Sequence, residues 1–184
     1  MKKALLIVDI QNDYFEQGAW ELVGSTVASL QAQKVLHHFR KEHLPIIHIQ
    51  HVAVGEGLPF FKPNTPGVEI HDNVKPLASE KVIAKHYPNS FKETELLEYL
   101  QENGITSLVI MGMMTHMCID ATTRAAKDFG FDCTVISDAC ASRDLELQGK
   151  TVKASDVHTA FLSALGFAYA NVLLAEVYLT SNNQ

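Results

Sequence analysis

The chain has 184 residues, 47% of them hydrophobic, enough for one domain with a sizeable core and too few for two, so a single domain over 1–184 is expected. Its 15 basic against 21 acidic residues give a formal charge of -6, and no basic run is longer than the Lys2, Lys3 pair, so the electrostatic footprint of a nucleic-acid binder is missing. Cys118, Cys133 and Cys140 lack CxxC spacing, which argues against a disulfide framework or a zinc ribbon. The apolar run 4–8 stops at Asp9, too short for a signal core or a membrane span, so a cytoplasmic protein is expected.

In chain order, short β-branched and aliphatic runs alternate with amphipathic segments, the pattern of βα units and a parallel sheet. The strands read as Ala4 to Asp9, Ile46 to His51, Lys81 to Lys85, Ser107 to Gly112, Cys133 to Ser137 and Val172 to Val177. Between the first two, Val27, Leu30, Val35, Leu36 and Phe39 make a helical stripe closing at Glu42 or His43, with Pro45 as the exit signal. The stretch 55–67 is rich in turn formers yet holds Phe60 and Phe61, which either pin the loop to the core or line a substrate mouth. Leu96, Leu97 and Leu100 mark a helix with Glu93 and Glu95 at its start and Gly104 past its end. After Thr115, Cys118, Thr122, Ala125, Ala126 and Phe129 fall on neighbouring helical turns up to Gly130. Val157, Ala160, Phe161, Ala164 and Leu165 supply a last helix stopped by Gly166.

An open parallel sheet binds ligands outside the carboxyl ends of its strands, so polar residues there carry the functional signal. Asp9 ends the first strand, Lys85 ends the third, and Cys118 follows the fourth. Each alone is ordinary: a turn cap, a solvated lysine, a small buried hydrophobe. Together on one rim they amount to a base, an electrostatic tuner and a nucleophile. Thr115 as N-cap leaves Cys118 in the first turn of its helix, where unpaired N–H groups and the dipole favour a thiolate. A nearby lysine adds to that effect, and a partly buried aspartate can take and return a proton.

The segments Ile7 to Phe15 (IVDIQNDYF), Lys85 with Ser90 and Phe91, Gly112 to Thr123, and Asp138 to Ser142 (DACAS) resemble the isochorismatase-like cysteine hydrolases, a group that includes nicotinamidases and N-carbamoylsarcosine amidases. The similarity runs from about Lys3 to Val177. It implies a three-layer α/β/α, Rossmann-like fold with six parallel strands in the order 3-2-1-4-5-6, and an Asp9, Lys85, Cys118 triad. It further implies a cis peptide between Met113 and Met114, and an oxyanion hole from the backbone N–H groups of Met114 and Cys118. With that order Lys85 lies two strands from Asp9 and must span the gap with its long stem or a bent strand end.

Nicotinamidases of this group hold a divalent metal with an Asp-x-His pair after the second strand, where this chain has His51 and Ala53. His48, His51, His71 and His86 are scattered, and no metal and no organic cofactor are expected. A cysteine nucleophile favours hydrolysis of a C–N bond in a small-molecule amide through a thioester. Phe15, Trp20, Phe60, Phe61, Tyr87 and Phe91 lie near the implied rim and suggest a flat or apolar acyl group; His116 either touches substrate or shapes the turn. Two rivals stand beside this reading: a vinyl-ether hydrolase acting through Asp9, and a non-catalytic small-molecule-binding module. The group is commonly oligomeric, so a homo-oligomer with no nucleic-acid or membrane partner is expected.

Overall fold

In a computed structural model that describes residues 2–55 and 57–181, β1 (Lys3–Val8) runs through the centre of the sheet, and its alternate side chains feed two separate cores. Leu5 and Ile7 join one, Ala4, Leu6 and Val8 the other, as the two-residue period of a strand requires. The remaining sheet strands are β2 (Ile46–His51), β3 (Lys81–Lys85), β4 (Ser107–Met113), β5 (Asp132–Ala141) and a short β8 (Asn171–Leu173). All are parallel and ordered β3-β2-β1-β4-β5-β8. Helices α1 (Ser25–Lys41) and α5 (Ala175–Ser181) cover one face. Helices α2 (Leu96–Glu102), α3 (Asp120–Asp128) and α4 (Ala154–Ala168) cover the other, giving the three-layer α/β/α arrangement. Between β5 and α4 lies an antiparallel hairpin, β6 (Leu145–Leu147) with β7 (Lys150–Val152), that no hydrophobic pattern announces.

The last strand expected at Val172 to Val177 is mostly helix. It ends at Leu173, and Ala175 and Tyr178, three residues apart, are both buried on α5. The N–H of Ala175 donates to Asp138 Oδ1 at 2.7 Å, so a residue from β5 caps the helix from outside its own segment. Helix α1 ends at Lys41 with Glu42 as its cap, but Val27 and Leu30 face outward. Its buried stripe is Ser25, Ala28, Ser29, Ala32, Val35, Leu36 and Phe39, because small residues let the helix lie close to the sheet. Helix α4 continues through Gly166 to Ala168, and Ala160 and Ala164 are exposed while Leu162 is buried. A helix of this length tolerates an interior glycine at a cost of about 1 kcal/mol.

Register breaks once, between β4 and β5. Ile110 pairs with Val135 but Gly112 with Cys140, so the β4–β5 pairing skips residues 136–139, while Ile136 still pairs with Leu173 of β8 and Asp138 reaches α5. On the other side of β4, Gly112 faces Val8 with φ 135, and a Cβ there would run into the Val8 carbonyl oxygen. Only glycine allows β4 to end this close to β1, which brings the segment after β4 over the end of β1.

Candidate active site

Asp9 falls just past β1 in a left-handed turn (φ 52), its N–H donating to Ile49 O at 3.1 Å. Asparagine and aspartate tolerate this conformation better than most residues. Lys85, the last residue of β3, pairs in register with His51 of β2, and its stem crosses that residue to place Nζ 2.7 Å from Asp9 Oδ2. The two-strand gap is therefore bridged by the length of the side chain. Nζ also approaches Tyr87 O at 3.0 Å, Pro88 O at 3.3 Å and His51 Nδ1 at 3.3 Å.

Cys118 lies in a π-helical turn, Thr115–Ile119, that precedes α3. Thr115 does not cap a helix: its Oγ1 donates to Ala141 O at 3.1 Å and lies 2.9 Å from His158 Nδ1. Asp9, Lys85 and Cys118 are 0%, 1% and 4% exposed. One atom each from Asp9, His51 and Cys118 lies within 4.8 Å of the others. The peptide bond between Met113 and Met114 is cis.

Electrostatics at the sulfur run against the thiolate expectation. Burial pushes the Cys118 thiol up beyond its ordinary range and Asp9 pushes it further, outweighing the pull of Lys85. The dipole end and one lysine thus do not offset the upward push of desolvation and an adjacent carboxylate. Burial works against the Lys85 charge, yet Asp9 and Cys118 hold it above the usual lysine value. Burial, aided by Lys85 and His86 and opposed by Asp9, lowers His51 to about 4.

The scattered histidines do not gather. His48 Nε2 pairs with Glu80 at 2.9 Å, His71 stacks on Phe15 at 3.7 Å, and His86 meets Val52 O at 2.8 Å. Among the described residues, the Asp9, His51, Cys118 triangle is the group with metal-like convergence, and the Lys85 ammonium already lies against two of its corners. Ala53 offers no ligand. The divalent site of the nicotinamidase branch does not fit these residues.

The aromatic residues divide. Phe61 is buried and lies 5.8 Å from His51 and 4.6 Å from Tyr14, while Phe60 stacks on Trp20 at 5.1 Å. These rings pack into one cluster that reaches the triad's neighbour His51 through Phe61. Phe91 does not belong to it: its ring lies 5.2 Å from Phe129 and 6.2 Å from Phe131, which precedes β5 at the opposite end of the sheet. Its apolar neighbours there, including Leu96 and Ile105, draw it into the core. Tyr87 contributes its carbonyl to Lys85, and its ring is covered by Lys92 at 3.7 Å. His116 Nδ1 lies 2.7 Å from Ser142 Oγ, so the imidazole ties the turn to the end of β5.

Several contributors escaped sequence reading. The Gln11 amide accepts from His51 N at 2.8 Å and donates to His51 O at 2.9 Å and Val68 O at 2.7 Å. Asp13 accepts from Phe61 N at 2.6 Å and Ala19 N at 3.2 Å, and a Cβ on Gly67 would run into its carboxylate. Tyr14 is buried against Phe60 and Phe61, and its hydroxyl is pushed well above the usual tyrosine range by burial and then by Cys118 and Asp9. The signal for these was present in the spacing Asp9, Gln11, Asp13, where only the first was given a role.

With this geometry in place, the likeness to known proteins becomes specific. The isochorismatase domain matches residues 3–163. The isochorismatase family protein YddQ of Bacillus subtilis (strain 168) is 50% identical over 179 residues, 97% of this chain and 99% of that one. The crystal structure of an isochorismatase hydrolase from Oleispira antarctica matches with a TM-score of 0.93 at 47% identity, over 97% of this chain and 96% of that chain. The maleamate amidohydrolase of Pseudomonas putida is 27% identical over 186 residues, 94% of this chain and 83% of that one. The chain belongs to the isochorismatase family, whose members are hydrolases. No helix among its described residues is long and apolar enough to cross a membrane.

Proposed function

We propose that the protein is a cysteine-dependent amidohydrolase acting on a small molecule through a thioester. The observation that carries this reading is the buried convergence of Asp9, Lys85 and Cys118 at the carboxyl ends of β1, β3 and β4. Because burial and Asp9 push the Cys118 thiol up, attack is coupled to its deprotonation. Sγ adds to the amide carbonyl as Asp9 takes its proton, and Lys85 keeps the carboxylate oriented and offsets charge at the sulfur. The backbone N–H groups of Met114 and Cys118 receive the oxyanion. One such donor is worth about 10²–10³ in rate. Collapse expels the amine, which leaves with the proton that Asp9 held. Water then enters, gives a proton to Asp9 and attacks the thioester. The acid departs, and that proton returns to the thiolate, so the amide and water become acid and amine.

Likeness to a maleamate amidohydrolase supports amide chemistry, and a resident thiol beside a carboxylate supports the nucleophilic route over ether protonation. Amine release from a panel of primary amides and ureides, compared between wild type and Cys118→Ala, tests the proposal. Release by wild type and none by the variant is expected. Equal release by both would return the chemistry to Asp9 alone.

A further inference from the structure

His51 closes β2 beside the triad, 5% exposed, with Nδ1 3.3 Å from Lys85 Nζ and 4.0 Å from Asp9 Oδ2. An ammonium has hydrogens to give and no lone pair, so Nδ1 must face it as an acceptor. The ring is neutral, lowered to about 4 chiefly by burial, and its single proton therefore sits on Nε2. That nitrogen is buried and has no hydrogen-bond partner among the described residues. Gln11 holds the His51 backbone from both sides at 2.8 and 2.9 Å, and the Lys85 contact at Nδ1 orients the ring on it. Phe61 stands against the ring at 5.8 Å, tilted by 37°. Buried donors are almost always satisfied in native proteins, and an exception fixed beside a nucleophile points to a ligand.

We propose that His51 reads the substrate: its Nε2–H donates to an acceptor atom in a flat acyl group held against Phe61, so that amides of acceptor-bearing acids are preferred over those of plain hydrocarbon acids. The inference rests on the amidohydrolase reading of the same site. It assigns recognition to the position where the nicotinamidase branch keeps the first residue of its metal-binding pair. Here the lysine fixes the tautomer, the glutamine fixes the backbone, and the imidazole offers one directed hydrogen bond. A polar group built to meet a substrate atom discriminates against analogues that lack it, since the group is then left unpaired.

Benzamide, picolinamide, nicotinamide and isonicotinamide differ only in whether, and where, one ring CH is replaced by an acceptor nitrogen. Dissociation constants from calorimetry and ammonia release are measured for wild type, His51→Leu, His51→Phe and His51→Asn. At least one pyridine isomer should bind wild type about tenfold tighter than benzamide. That ratio should fall to about unity in His51→Leu and return in part in His51→Asn, whose side chain still donates. His51→Phe keeps the ring volume and serves should His51→Leu not fold. A merely structural histidine would weaken all four ligands together and leave the ratio unchanged. Absence of any preference in wild type, or its survival in His51→Leu and His51→Phe, would overturn the proposal. Selective binding without ammonia release from any amide sinks the amidohydrolase reading alone, whereas ammonia release from all four with no selectivity sinks the role of His51 alone.

Discussion

Strands β2 and β3 carry a buried acid–base cluster at each end. At the amino end, Glu80 receives Arg40 through two hydrogen bonds at 2.7 and 2.9 Å, the N–H of Leu77 at 2.9 Å and His48 Nε2 at 2.9 Å. At the carboxyl end, Asp9 meets Lys85 at 2.7 Å with Cys118 and His51 alongside. Burial alone would raise the Glu80 carboxyl, but its hydrogen bonds to Arg40, Leu77 and His48 hold it at about 2. The same desolvation at the other end is not cancelled: the Cys118 thiol is driven up and, among the described residues, the Nε2 donor of His51 has no partner. Each histidine has one unpartnered ring nitrogen, and their kinds differ. His48 gives its proton to a carboxylate and keeps a bare lone pair, whereas His51 offers its lone pair to a lysine and keeps an unspent N–H. A cluster whose charges are balanced within the fold holds strands together; one that keeps a buried donor unspent is one that a ligand can complete.

Substitutions at the two ends separate these roles. Cys118→Ala is expected to reduce amine release to background while the melting temperature stays near that of wild type, since a methyl group fits the turn but cannot attack a carbonyl. Asp9→Asn should cost about 10²–10⁴ in kcat, the usual worth of a positioned acid–base group, measured on the best amide of the panel. Lys85→Met leaves the Asp9 carboxylate buried without its cation. A loss of about 3 kcal/mol in denaturant unfolding is expected, together with slower alkylation of Cys118 by iodoacetamide, because the opposing positive charge is gone.

Glu80→Gln is the counterpart at the amino end. It should cost about 2 kcal/mol, less than a fully enclosed pair because Arg40 is partly exposed, and leave kcat within about twofold. Its pH signature is specific. Glu80 has a depressed carboxyl in the folded state, so its contribution is complete above the ordinary glutamate value and is lost as pH falls toward about 2. Urea unfolding of the variant should lack that acid limb. The smallest effect is expected from exhaustive EDTA treatment, which should change turnover by less than about twofold because Lys85 lies where a cation would act. Strong inhibition by EDTA, reversed by zinc, iron or manganese, would require the site to be rebuilt around a metal. We also expect a homo-oligomer in sedimentation, given exposed apolar side chains such as Phe167 at 92% and Leu147 at 76%.

Much of this was legible in the sequence. β-branched runs locate the five longer strands, the glycine at 112 marks the end of β4, and strand-end positions single out Asp9, Lys85 and Cys118. What stayed hidden depends on contacts between distant segments. Val172 to Val177 reads as a strand because nothing local records that Asp138 caps a helix at Ala175. Thr115 reads as a cap until Ala141 and His158 are seen to engage its hydroxyl. Phe91 reads as a rim residue because its partners, Phe129 and Phe131, follow it by dozens of residues. The upward push on the Cys118 thiol is hidden for a related reason: it comes from total desolvation, which a residue's immediate neighbours in sequence do not report.

The anchoring of the loop that carries Phe60 and Phe61 has a consequence for how such a protein can change its diet. Asp13 grips the loop through a main-chain N–H, and its carboxylate leaves no room for a side chain at Gly67. Gln11 likewise seizes backbone atoms of His51 and Val68. The frame thus holds the loop through main-chain atoms, and the buried rings of Phe60 and Phe61 add their own packing to it. The exposed positions Pro59, Lys62 and Pro63 can be exchanged while the buried Phe60 and Phe61 keep the packing beside the triad, so the outer loop and the chemistry are free to evolve on separate schedules.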